Sequence, residues 1–95
     1  MNPVLPAAQR VLITGAAGFL GQGLVRALCA IGQLQAVVAV DVRALPADMT
    51  HPSLTQVLQD VRDPDLARTL AAHRIDTVVH LASIVTPGKD SSRAL

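Results

Sequence analysis

Val11-Leu12-Ile13-Thr14-Gly15-Ala16-Ala17-Gly18-Phe19-Leu20-Gly21 is the stretch from which the rest of the chain can be read. A short apolar run ends in Thr14 and turns, through glycines at every third position, into a helix-like pattern. Glycine at 15 lets the backbone leave a strand in a tight turn. Glycine at 18 leaves space for a pyrophosphate, and glycine at 21 lets a helix pack closely on the strand. The helix that follows would aim free N–H groups and the positive end of its dipole at that turn. A junction of this kind predicts a dinucleotide as ligand, with Gly15, Gly18, Phe19, Leu20 and Gly21 forming its seat.

Outward from that junction, Arg10 to Thr14 read as a first strand and residues 1–9 as a leader. From Phe19 to about Ile31, Leu20, Leu24, Leu28 and Ile31 recur at helical steps and predict one apolar face, with Gly32 as the stop. Ala36-Val37-Val38-Ala39-Val40 is a second apolar run, without polar alternation, and closes in Asp41. That acid lies 20 residues beyond Gly21 at a strand tip, where a dinucleotide fold places the carboxylate that accepts from the adenosine ribose hydroxyls. A carboxylate there repels a 2′-phosphate, which favours NAD over NADP. Val42 and Arg43 follow it. The Arg43 guanidinium can stack on adenine, meet a 2′-phosphate or lie solvated in the loop.

Residues 43–53, with Pro46, Asp48, Thr50, Pro52 and Ser53, carry breaker signals and read as a loop. Leu54 to Gln59 make a short third strand that ends at Asp60-Val61. Asp63-Pro64-Asp65 predicts a helix start with Asp63 as cap, and Leu66, Leu70 and His73 carry the helix to about Arg74. Thr77 to Leu81 form the last strand, followed by Ala82 and Ser83. Ile84 to Leu95 read as a loop leading into another helix.

Composition narrows the class. The 95 residues suit one domain, and 51% hydrophobic content with a single aromatic residue implies a core of Val, Leu, Ile and Ala. Such continuous aliphatic runs fit parallel strands covered on both faces. A net charge of +1, with eight basic residues scattered against seven aspartates, points to neither nucleic acid nor an anionic membrane as partner. The lone Cys29 excludes an internal disulfide and suits a reducing cytoplasm. No His spacing suggests a metal site, and no stretch reaches the length of a membrane helix.

Thr14-Gly15-x-x-Gly18-x-x-Gly21 resembles the glycine turn of the short-chain dehydrogenase/reductase superfamily, and Gly18-Phe19-Leu20-Gly21 resembles its extended, NAD-dependent epimerase/dehydratase branch. In that branch an Asp followed by an aliphatic residue sits beside the adenine, a role the resemblance passes to Asp60 and Val61. His80-Leu81-Ala82-Ser83 resembles the segment after the fourth strand that runs beneath the pyrophosphate and nicotinamide ribose, where small residues keep the channel open. His80 reads as structural, a buried ring with a satisfied hydrogen bond.

The resemblance implies a three-layer α/β Rossmann sheet of order 3-2-1-4, binding NAD for an enzyme that oxidises a substrate hydroxyl. It further implies a nucleotide sugar or related polyol as substrate and a homodimer at full length. The family's chemistry uses a Tyr-x-x-x-Lys pair, and this sequence contains no tyrosine, so no residue here is assigned as catalytic. Residues 1–95 therefore read as the cofactor-binding portion of a longer enzyme. A stand-alone dinucleotide-binding regulatory module and a small α/β domain without ligand are the alternatives.

Overall fold

The computed structural model describes residues 8–82. Along the chain run β1 (Arg10–Thr14), α1 (Phe19–Ile31), β2 (Ala36–Asp41), β3 (Leu54–Leu58), α2 (Leu66–Ala72) and β4 (Thr77–His80). The strands are all parallel and lie in the order β3-β2-β1-β4, the doubly wound α/β arrangement expected from the sequence. Leu12, for example, lies opposite Val38 on one side and Val78 on the other.

The aliphatic runs of β1 and β2 are buried because they occupy the middle of the sheet, and alternate side chains serve opposite faces. Val11, Ile13, Val37 and Ala39 pack with Val25 of α1. Leu12, Val38 and Val40 pack with Leu66 and Leu70 of α2 and with Ile75. A helix therefore covers each face, giving three layers. The outer strands are less enclosed: Leu58 is 62% and Val78 49% exposed.

The buried face of α1 differs from the expected stripe. Gly21 and Val25 face inward with Leu24 and Leu28 beside them, while Leu20 and Ile31 are 59% and 54% exposed. A leucine every fourth residue drifts by about 40° per step around an α-helix, so the tightest contact decides which arc faces in. That contact is Gly21. A Cβ there would lie 2.7 Å from Ala16 Cα and nearer still to the Gly15 carbonyl oxygen. The helix stops where expected, with Gly32 in the left-handed region at φ 74°.

Four boundaries shift, counting the end of α2, which comes at Ala72 and not near Arg74. β3 ends at Leu58 and β4 at His80, each one residue early. α2 starts at Leu66 with Asp65 in the N-cap position and no side-chain cap. Asp63 instead shapes the preceding turn, its Oδ1 accepting from Asp65 N at 2.8 Å and its carbonyl from Leu66 N at 2.9 Å. The β2–β3 crossover is irregular, as read, but it is not merely a surface loop. Leu45 and Met49 are each only 8% exposed and complete the core on the α1 face, with the Gln56 side chain accepting from Leu45 N. No helix among the described residues is long and apolar enough to cross a membrane.

The two interior glycines of α1 should respond oppositely to the same change. Gly21→Ala forces a methyl into backbone atoms and should cost about 2 kcal/mol or more. Gly23, whose added Cβ would meet nothing within 4 Å, should gain about 0.5–1 kcal/mol on Gly23→Ala. Urea unfolding of the two variants measures both.

Candidate functional site

The first β–α junction is built from backbone pressed against backbone. Gly15 has φ +72°, and a Cβ on it would fall 2.8 Å from Ala82 N, so both its conformation and its surroundings demand glycine. Its carbonyl accepts from Gly18 N at 3.2 Å and closes the turn, while Ala16 N donates to Val40 O across the sheet. Gly18 is different. Its backbone is extended, at φ −76° and ψ 173°, and an added Cβ would meet only the Gly15 carbonyl oxygen, at an ordinary 3.5 Å. The fold does not require glycine at 18. It also caps α1 with no side chain, leaving the positive end of that helix open.

Above this junction lies a cleft of about 480 Å³, at the ends of the strands where the order reverses between β1 and β4. Gly15 and Gly18 line it from the turn, Asp41, Val42 and Arg43 from the tip of β2, and Asp60 and Val61 from beyond β3. Leu81 and Ala82 line it from beyond β4. Gln59 and Arg62, which the sequence reading did not single out, line it as well. Phe19 and Leu20 do not: 93% and 59% exposed, they border a separate groove on the outer side of α1. Gly21 is buried in helix–strand packing. Ser83 lies outside the described residues.

Asp41 bridges two elements of this cleft. Its Oδ2 accepts from Ala17 N in the glycine turn and its Oδ1 from Arg43 N, each at 2.9 Å. The Arg43 Nε stands 3.7 Å away. Burial alone would raise the Asp41 pKa, but the amides of Arg43 and Ala17, the Arg43 charge and the Val42 amide outweigh it and lower the value. Asp60 is held at about 2, chiefly by the side-chain hydrogen bond from Arg62 and then by the Arg62 amide. Both acids are therefore ionised at neutral pH.

Thr14, read from the sequence only as the residue that opens the glycine turn, ties the cleft floor together. It is 1% exposed, shares a 2.8 Å hydrogen bond with His80 Nδ1, and accepts from Ala82 N at 3.3 Å. The Leu81 amide adds a bond to the Thr14 carbonyl at 3.2 Å. The signals for this role were the position of Thr14 at the strand tip and its place at the head of the glycine motif. His80 makes its expected hydrogen bond, but the ring is exposed and not buried, because β4 is an outer strand of the described sheet. Cys29 is partly buried, its thiol pKa pushed up by burial, and lies on α1 away from the cleft. Among the described residues no three His, Cys, Asp or Glu side chains gather in a way that could hold a metal ion.

The depressed Asp41 pKa has a testable sign. The ionised carboxylate contributes stability at pH values above the ordinary aspartate pKa of about 3.9, and that contribution is lost as pH falls through the lower folded value. The melting temperature should drop as pH is lowered from about 5 to about 2.5, and Asp41→Asn should make the drop shallower.

Comparison with known proteins gives the family of this chain. A 3 beta-hydroxysteroid dehydrogenase/Delta 5-->4-isomerase of Mycobacterium tuberculosis is 38% identical over 76 residues, covering 80% of this chain and 20% of that protein. Among solved structures, MoeE5 in complex with UDP-glucuronic acid and NAD is 43% identical with a TM-score of 0.63, over 76% of this chain and 22% of that one. The UDP-glucose 4-epimerase of Thermotoga maritima, solved with UDP-glucose, is 25% identical with a TM-score of 0.71, over 90% of this chain and 28% of that one. The chain thus spans less than a third of the length of the proteins it matches. A family model matches from within β1 through the glycine turn and all later strands, residues 11–95, and by that match the chain belongs to the NAD dependent epimerase/dehydratase family.

Proposed function

We infer that the cleft binds a nicotinamide dinucleotide, NAD in preference to NADP, and that the chain is the cofactor-binding portion of a longer oxidoreductase. The observation that carries this reading is Gly18. Packing accounts for Gly15 and Gly21, whereas nothing in the fold crowds a side chain at 18. A phosphate group in the cleft supplies the missing reason, because a side chain at 18 would stand in its place.

In this reading the pyrophosphate rests at the Gly15–Gly18 turn, with the amides of Phe19 and Leu20 at the open end of α1 facing it. The Asp41 carboxylate, anchored by the Ala17 amide, accepts from the adenosine ribose hydroxyls and opposes a 2′-phosphate. Asp60 and Val61 border the adenine, and Leu81 and Ala82 line the run toward the nicotinamide, with Ser83 continuing it. The chemistry supplied by that cofactor when bound is hydride transfer. Thr14 holds the segment after β4 against β1 and so sets the width of the channel.

The acid–base group of the reaction lies in a longer polypeptide, because this sequence has no tyrosine to serve the family's Tyr-x-x-x-Lys chemistry. A substrate carrying an oxidisable hydroxyl, of the nucleotide-sugar class, is supported by the UDP-sugars in the MoeE5 and Thermotoga maritima structures.

Calorimetric titration tests the reading. NAD should bind at least about tenfold more tightly than NADP, a difference of about 1.4 kcal/mol, and Asp41→Asn should narrow that ratio. Gly18→Val should lower NAD affinity by about tenfold or more with little change in melting temperature. Tighter binding of NADP, or full NAD affinity in Gly18→Val, would overturn the assignment.

A further inference from the structure

The tripeptide Asp-Val-Arg occurs twice, at 41–43 from the last residue of β2 and at 60–62 just beyond the end of the neighbouring parallel β3. Both copies fold alike. Arg43 N donates to Asp41 Oδ1 and Arg62 N to Asp60 Oδ1, each at 2.9 Å, a local turn that fixes the arginine relative to the strand tip. Both arginines line the same cleft.

Their side chains are tethered differently. Arg62 sets Nη2 2.8 Å from Asp60 Oδ2 and Nε 3.2 Å from Oδ1, a two-pronged pair that orients the guanidinium plane. Arg43 has only its Nε near Asp41, at 3.7 Å, because Asp41 Oδ2 is taken by Ala17 N. The Arg62–Asp60 side chains are 86% and 38% exposed, and so open a pair contributes little to stability. Its geometry calls for another reason.

Val42 and Val61 offer aliphatic contact to one part of a planar base in this cleft, and no aromatic side chain lines it among the described residues, which leaves the two guanidinium groups as its flat surfaces. The chain's single aromatic residue, Phe19, is on the outer side of α1. Guanidinium planes are flat and weakly hydrated, and they stack on π faces.

We propose that Arg62 and Arg43 stack on the adenine of the dinucleotide, Arg62 as a plane set in advance by Asp60 and Arg43 as its more loosely held partner. Asp60 acts here as a positioning residue. The inference rests on the dinucleotide reading above and extends it to the base.

Calorimetry with NAD on the wild type and on Arg62→Ala, Arg62→Lys, Arg43→Ala and Asp60→Asn tests it, together with nitrogen-15 spectra of the arginine Nε–H groups during titration with AMP. Each arginine-to-alanine change should weaken NAD about three- to fivefold, at unchanged melting temperature since the side chains are 68% and 86% exposed. Arg62→Lys, which keeps the charge without the plane, should not restore affinity, and Asp60→Asn should lose part of it. AMP should move both arginine signals upfield through the ring current of the base. Wild-type affinity in Arg62→Ala, full rescue by lysine, or arginine signals unmoved by bound AMP would overturn the stacking assignment alone. A wild-type protein that binds neither NAD nor AMP would overturn the dinucleotide reading with it.

Discussion

Close approach of main chain to main chain at the end of β1 is the constraint on which the rest of this structure depends. The start of α1 presses on the Gly15 carbonyl and on Ala16 through Gly21, and Gly15 in turn lies against the Ala82 amide beyond β4. The glycine turn, the start of α1 and the segment beyond β4, the last far away in sequence, converge there without an intervening side chain. Any Cβ at Gly15 or Gly21 would push them apart, because the atoms it would meet belong to backbone and cannot rotate away. The same contact sets the rotation of α1, and so decides that Val25 enters the core while Leu20 and Ile31 remain at the surface.

On this scaffold the polar groups at the strand tips act at two levels. Asp41 and Thr14 join elements: the first links the tip of β2 to the glycine turn through Ala17, the second links the tip of β1 to His80 and Ala82. Asp60, by contrast, bonds within its own turn, to the amide and guanidinium of Arg62. Two aspartates in the same tripeptide therefore carry different duties. What separates them is the neighbour each meets, Ala17 in one case and solvent in the other. The α1 side of the sheet shows a related economy, since the crossover after β2 contains no helix and Leu45 and Met49 cover that face instead.

Much of the architecture was legible in the sequence because it follows from local patterns. Aliphatic runs without alternation specified buried parallel strands, Gly32 marked the end of α1, and the glycine spacing marked the junction, all features carried by a few adjacent residues. The positions of Asp41 and Asp60 at strand tips were equally local. Less legible were the residues whose role depends on partners far along the chain. Leu45 and Met49 sit among prolines and aspartates that signal a loop, and nothing nearby shows that the sheet needs covering there. Thr14 looks like any strand-end threonine until His80 and Ala82, 66 and 68 positions away, are brought beside it.

The sequence by itself determined the kinds of element, their order and the glycine junction, since each rests on short-range sterics and hydrophobic periodicity. Only the tertiary structure decided which arc of α1 is buried, that Gly15 and Gly21 answer to packing while Gly18 does not, and that the Arg62 guanidinium is held in place by Asp60. The first two outcomes depend on distances between backbone atoms of packed elements, and the third on the rotamers of two side chains within one turn, none of which a pattern of residue types encodes.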